Sequence, residues 1–218
     1  MGLLREFCAE NMEHVPAAIE AGAGRIELCD NLAVGGTSPS TGVIRAACAY
    51  GRSHGADVMV MVRPRGGDFA YSAAELAMMC DDIDVALEAG ATGVVFGCAS
   101  EGHLDTAATQ VLLARVHEVR ADVQVTFHMA FDTIRADEQL AVIDWLAERG
   151  VTRILTHGGG EGTSIADNVA RLRTYVARAA GRIGILPGAG ITWENAEDVA
   201  AAVGVSEVHG TRIVRLPR

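Results

Sequence analysis

The sequence has little basic charge and none of it is grouped. Its 18 Lys and Arg are outnumbered by 28 Asp and Glu, the formal net charge is −10, and no basic run occurs. Nucleic-acid binding and attachment to anionic membranes are disfavoured, because both neutralise phosphate with clustered Lys and Arg. No apolar stretch reaches the ~18 residues of a membrane span. The opening "MGLLREFCAEN" meets Glu6 before the apolar core of a secretory signal can form. Glu6 also stands where an N-myristoylation site requires Ser or Thr. The five cysteines, Cys8, Cys29, Cys48, Cys80 and Cys98, are an odd number without a CxxC. That pattern argues for reduced thiols and a cytoplasmic location, against a disulfide framework. Aromatic residues make up only 5% of the chain. The core is therefore expected to consist of Ala, Val, Ile and Leu.

Glycine, in contrast, is abundant at 25 residues, and its placement is regular. "EAGAGRIEL" from Glu20, "EAGATGVVF" from Glu88, "ERGVTRILT" from Glu148 and "AVGVSEVHG" from Ala202 share one plan. Each reads as a helix end, a glycine, a small residue and a strand. Gly22, Gly90, Gly150 and Gly204 take the left-handed position that closes a helix. The pattern predicts strands near 3–8, 25–29, 58–63, 93–97, 123–128, 153–157, 183–187 and 206–209. It predicts helices near 12–21, 40–54, 73–89, 106–120, 138–149, 165–180 and 193–203. Ser72 with Glu75 forms a capping-box pattern, and Asp105, Asp137 and Ser164 are expected N-caps. Alternating strands and helices imply a parallel sheet. With eight strands and no GxGxxG after the first, the expected fold is one α/β domain over 1–218, a (β/α)8 TIM-type barrel. Too little chain follows His209 for an eighth helix. A homo-oligomer, dimer or tetramer, is expected, with a second subunit over that flank.

In such a barrel the chemistry lies at the C-terminal ends of the strands. The first two strands end in matched triplets, Glu6-Phe7-Cys8 and Glu27-Leu28-Cys29. The two-residue period puts Glu and Cys of each on one face, so the thiols are expected to meet near the mouth with the glutamates one layer deeper. Buried carboxylates need partners, which Arg63, or Arg25 if it turns inward, can supply. The third strand leaves the barrel as "VRPRGGDFAYS". If the chain stays extended through Pro64, Arg63 and Arg65 share a face, and Asp68 can pair with either. His128 and His209 also stand at strand ends. Gly188 and Gly190, with Gly210, occupy the place where many barrels hold a phosphate with backbone N–H groups.

Taken together, the Glu-x-Cys of strand one, "RIELC", "GGTSPS", "VRPRGGDFAYS", "VTFHMAFD" and "PGAGIT" resemble the CutC copper-homeostasis family over nearly the whole chain. The resemblance implies a cytoplasmic TIM-type barrel, oligomeric, engaged in copper handling. It also implies a Cu(I) site at Cys8 and Cys29. Thiolates are soft donors that suit Cu(I), and two of them can suffice, whereas zinc usually takes four ligands and no further Cys or His has ligand spacing nearby. The plainer reading of both cysteines is as small buried apolar groups. Two residues depart from the family pattern, Met129 where Arg is usual and His157 where Ser is frequent. An alternative function stays open: an enzyme acting on a small anionic or phosphorylated substrate. In it Arg63, Arg65, Gly188, Gly190 and Gly210 hold the anion, and Glu6, Glu27, Asp68 or His128 move protons.

Overall fold

Strands form at the Val/Ile/Leu runs, and the glycines between helix and strand take the turns that let each unit reverse. The computed structural model describes residues 2–160 and 162–216. The barrel strands are β1 (Leu4–Glu10), β2 (Arg25–Cys29), β3 (Asp57–Met61), β4 (Gly93–Phe96), β7 (Gln124–Phe127), β8 (Arg153–Thr156), β9 (Gly184–Pro187) and β10 (Glu207–Gly210). All pair in parallel in the order β10-β1-β2-β3-β4-β7-β8-β9. β9 and β10 lie side by side without a hydrogen-bonded ladder, so the barrel is nearly closed. A short antiparallel hairpin, β5 (Ala99–Ser100) with β6 (His103–Leu104), follows β4 and was not foreseen.

Among the described residues seven α-helices cover the outside: α1 (Val15–Glu20), α2 (Thr41–His54), α3 (Ala73–Glu88), α4 (Thr106–Val119), α5 (Gln139–Ala147), α6 (Val169–Ala179) and α7 (Ala196–Val203). Ser72 and Glu75 form the expected reciprocal cap of α3, and Asp105 caps α4 by accepting from the Ala108 N–H. Two expected caps are corrected. Asp137 pairs with Arg135 and α5 starts after it. Ser164 closes a turn with Asp167, and α6 begins only at Val169. Both helices start later because a local side-chain pair already satisfies the polar groups there. No helix follows β10 among the described residues. The chain instead turns at Gly210, bridges Arg212 to Thr192, and buries Ile213 and Val214 in the outer core.

Alternation along the strands divides the barrel into two apolar regions. Phe7, Val60, Phe96, Phe127, Ile154 and Val208 face outward into the layer under the helices. Cys8, Cys29, Met59, Met61 and Val95 form a separate inner cluster, with Leu32 over it. The inner cluster fills the barrel below its mouth. Glu6, Arg25, Glu27 and Arg153 are buried there too, and they set the character of the site.

Candidate functional site at the barrel mouth

The register of the first strands decides which groups meet. Glu6 lies opposite Arg25, Cys8 opposite Glu27, and Glu10 opposite Cys29. The matched triplets are thus staggered by two residues. Cys8 shares its layer with Glu27, and Cys29 stands one step higher. This corrects the expectation of two thiols over two glutamates, and the cause is the shear that closing a barrel imposes. β10 adds His209 directly beside Glu6.

Glu6 is fully buried and doubly held. One oxygen accepts from the Arg25 Nε–H, and the other lies 2.8 Å from His209 Nδ1. Arg25 also reaches Glu207 at 2.6 Å, and Arg153 lies 3.5 Å from the same carboxylate. The opposite charge for Glu6 is therefore Arg25, not Arg63. Burial pushes the Glu6 carboxyl up, but the His209 and Arg25 contacts outweigh it and hold the pKa at about 2. Burial disfavours the charged form of His209, but the surrounding Glu27, Cys8 and Glu6 outweigh it and raise the ring well above the usual histidine value.

With Nδ1 tied to Glu6, the other ring nitrogen of His209 faces Glu27, at 3.7 Å. One ligand atom each from Cys8, Glu27 and His209 lies within 4.8 Å of the others. The Cys29 Sγ is 3.7 Å from a Glu27 oxygen. A hydrogen bond from the Cys29 thiol pulls the Cys8 pKa well down, against the effect of burial, with His209 adding to it. The same contact and burial raise Cys29. Burial raises Glu27 well above the carboxylate range despite His209, and its Oε1 is buried without a hydrogen-bond partner among the described residues. The expectation that no other ligand type stands near the cysteines is thereby corrected: barrel closure brings His209 to them.

The two arginines of "VRPRGGDF" part company at Pro64. β3 ends at Met61 and the chain bends, so the extended face expected for both does not form. Arg63 turns inward and is 4% exposed. Its guanidinium donates to the carbonyls of Val34 and Gly36, each at 3.0 Å, and of Gly67 at 2.8 Å. Gly35 and Gly36, both with φ of +87°, let the "GGTSPS" loop wrap that group. A Cβ on Gly36 would stand 3.1 Å from the Cys29 sulfur. Arg65 turns outward to Glu75 at 2.5 Å and Asp68 at 2.9 Å, and its Nη2 donates to the Ala70 carbonyl. Arg65 and Asp68 brace the loop into α3 and do not line the mouth.

The mouth itself is a cavity of about 460 Å³. Cys8, Glu27, Arg63, His128, His209, Gly190 and Gly210 line it, together with an apolar wall that includes Met61, Phe69 and Met129. Gly188 is the close-approach glycine beneath it, where a Cβ would meet Leu155 at 2.7 Å. His128 is buried, and its ring fits only because Gly97 has no side chain: a Cβ there would lie 2.6 Å from Nδ1. Burial and the nearby Arg63 charge lower its pKa to about 3, so the ring is neutral. His157 lies in a neighbouring pocket that shares Met129, Ala189 and Gly190 with the mouth.

The CutC family model matches residues 3–214. The chain belongs to the CutC family. Its relatives include a CutC family protein of Enterococcus faecalis, 52% identical over 97% of this chain and all of that protein. A human protein named copper homeostasis protein cutC homolog is 38% identical over 95% of this chain and 72% of its own length. The crystal structure of a putative copper homeostasis protein CutC from Streptococcus agalactiae has a TM-score of 0.93 at 43% identity, covering 97% of this chain and all of that one. A deoxyribose phosphate aldolase from Aeropyrum pernix, TM-score 0.71 at 13% identity over 97% of this chain and 87% of its own, shares the barrel fold.

Within this CutC-family barrel, the sequence pattern missed three partners. Glu207 and Arg153 lie deep on β10 and β8, where each reads as an ordinary strand residue. Gly97 resembles a strand-end turn glycine. Only the folded structure shows that Glu207 joins Arg25 to Arg153 and that Gly97 makes room for the His128 ring.

Proposed function

We propose that this chain is a cytoplasmic copper-homeostasis protein that holds Cu(I) at the floor of the mouth through Cys8 and Cys29. The observation that carries this reading is the convergence of Cys8 with His209 and Glu27 within 4.8 Å, with Cys29 packed against Cys8 in the inner cluster. The donor set fits a soft ion. Two sulfurs and an imidazole suit Cu(I), whereas hard cations prefer all-oxygen sites. The buried Glu27 Oε1 without a partner is a group that a neighbouring cation would satisfy. Methionine and leucine enclose the fully buried Cys29 sulfur, and that dry setting favours a low coordination number. The copper names of the relatives agree with this reading. All five cysteines are free thiols, as a reducing compartment maintains them.

His209, tied to Glu6 through its other nitrogen, has the second-sphere support typical of ligating histidines. Zinc is the competing ion, because Cys, His and Glu also suit it. X-ray absorption at the copper edge of Cu(I)-loaded protein tests the reading. Sulfur scatterers are expected, and they disappear in the Cys8→Ser/Cys29→Ser variant. A copper shell of nitrogen and oxygen alone, or Zn(II) displacing Cu(I) at equal concentration, would overturn it.

A further inference from the structure

Arg63 differs from the other buried arginines of the barrel. Arg25 and Arg153 each stand within ion-pair distance of a carboxylate. Arg63 is equally buried, yet its guanidinium donates to three carbonyl oxygens with only the neutral Tyr71 hydroxyl close by, and its Nε has no acceptor in hydrogen-bond geometry among the described residues. A buried cation held only by neutral dipoles lacks its counter-charge. On the same wall, His128 Nδ1 accepts the Ala130 N–H at 3.1 Å. The proton of the neutral ring is therefore on Nε2, and that atom is also buried without a partner among the described residues.

These two donors have a neighbour in common. The Phe69 ring lies 4.8 Å from the Arg63 guanidinium carbon and 5.0 Å from the His128 ring. Its π face is a weak substitute for an anion. Phe69 is half-buried and lines the cavity beside both side chains. β3 and β7 direct Arg63 and His128 inward, since Met61 and Thr126, two residues before each, already face the interior.

We propose that the mouth binds a small organic carboxylate, its two oxygens taking the Nε–H of Arg63 and the Nε2–H of His128 as the Phe69 ring gives way. On the wall built by β3 and β7, one positive charge and two N–H groups match a planar monoanion. A tetrahedral dianion would want more donors than this wall has. The rest of the lining sets Leu32, Val34, Met61 and Ile191 beside the polar Glu27, His209 and Arg212, and its apolar side chains suit an apolar body attached to the carboxylate. The site goes beyond the copper reading: it uses the wall built by β3 and β7, not the sulfurs of β1 and β2.

The test titrates full-length protein, kept metal-free with a chelator, so its outcome does not depend on what Cys8 and Cys29 hold. Benzoate is the probe, benzyl alcohol its neutral counterpart, and inorganic phosphate the second anion. Calorimetry is expected to show benzoate binding at least tenfold tighter than either. In 1H–15N spectra of the histidine side chains, the His128 Nε2–H moves downfield with benzoate and stays in place with benzyl alcohol. His128→Phe is expected to weaken benzoate about tenfold, and Phe69→Ala to tighten it. Should the His128 variant fail to fold, the resonance of the unmodified protein still decides. Benzoate no tighter than benzyl alcohol, phosphate as tight as benzoate, or a bound benzoate that leaves the Nε2–H unmoved would each overturn the proposal.

Discussion

Replacing Glu6 by Gln removes a carboxylate that touches both Arg25 and His209. The shape is kept and the charge is lost. Glu6 is fully buried, and its carboxyl is lowered from 4.5 to about 2. Burial is the largest single influence and opposes that shift, so the His209 and Arg25 contacts must exceed it. The shift corresponds to about 3 kcal/mol of stability at neutral pH. Breaking a buried ion pair from one side costs ~3–5 kcal/mol by a separate route, and the two estimates agree. Because the folded value is depressed, this stability is fully present above the unfolded value near 4.5 and is lost as pH falls towards 2. Urea unfolding of both proteins at pH 7, 5 and 3 is the assay. Glu6→Gln should be less stable by about 3 kcal/mol at pH 7, and the gap should narrow below pH ~4.5. A gap under ~1 kcal/mol at pH 7, or one that widens on acidification, would refute the reasoning.

Gly97→Ala places a Cβ 2.6 Å from His128 Nδ1 and 2.9 Å from the Ala130 Cβ, so it should destabilise by about 1–3 kcal/mol in thermal or urea melts. A wild-type melting temperature would mean that His128 does not pack across β4. Ser72→Ala removes half of the α3 capping box and should cost about 1 kcal/mol in urea unfolding. Arg65→Ala should leave benzoate affinity within twofold by calorimetry, because Arg65 points to Glu75 and Asp68 outside the mouth. A large loss there would return Arg65 to the anion site.

The barrel was legible because its punctuation is local. A helix-closing glycine followed by a branched aliphatic run needs no knowledge of distant residues. The nearness of Cys8 and Cys29 was legible for the same reason, since sequential parallel strands usually pair. What failed depended on register and closure. Nothing in the sequence says that β1 and β2 are staggered by two residues, which puts Cys8 beside Glu27 rather than Cys29. The Glu6–His209 contact spans 203 positions and exists only because β10 returns to β1. Arg65 was misjudged because alternation was carried past the end of β3, where Pro64 and the glycines bend the chain. Arg63 was expected to serve the glutamates. Its fork is instead filled by carbonyls of the Gly35–Gly36 loop, a backbone contact that no side-chain pattern encodes.

Cu(I) affinity, measured under reducing, oxygen-free conditions by competition with a chromophoric Cu(I) chelator, tests the central claim most directly. The unmodified protein and the Cys48→Ser/Cys80→Ser/Cys98→Ser variant should bind a single equivalent alike, while Cys8→Ser/Cys29→Ser should lose it. Equal affinity and stoichiometry in all three proteins would contradict the account.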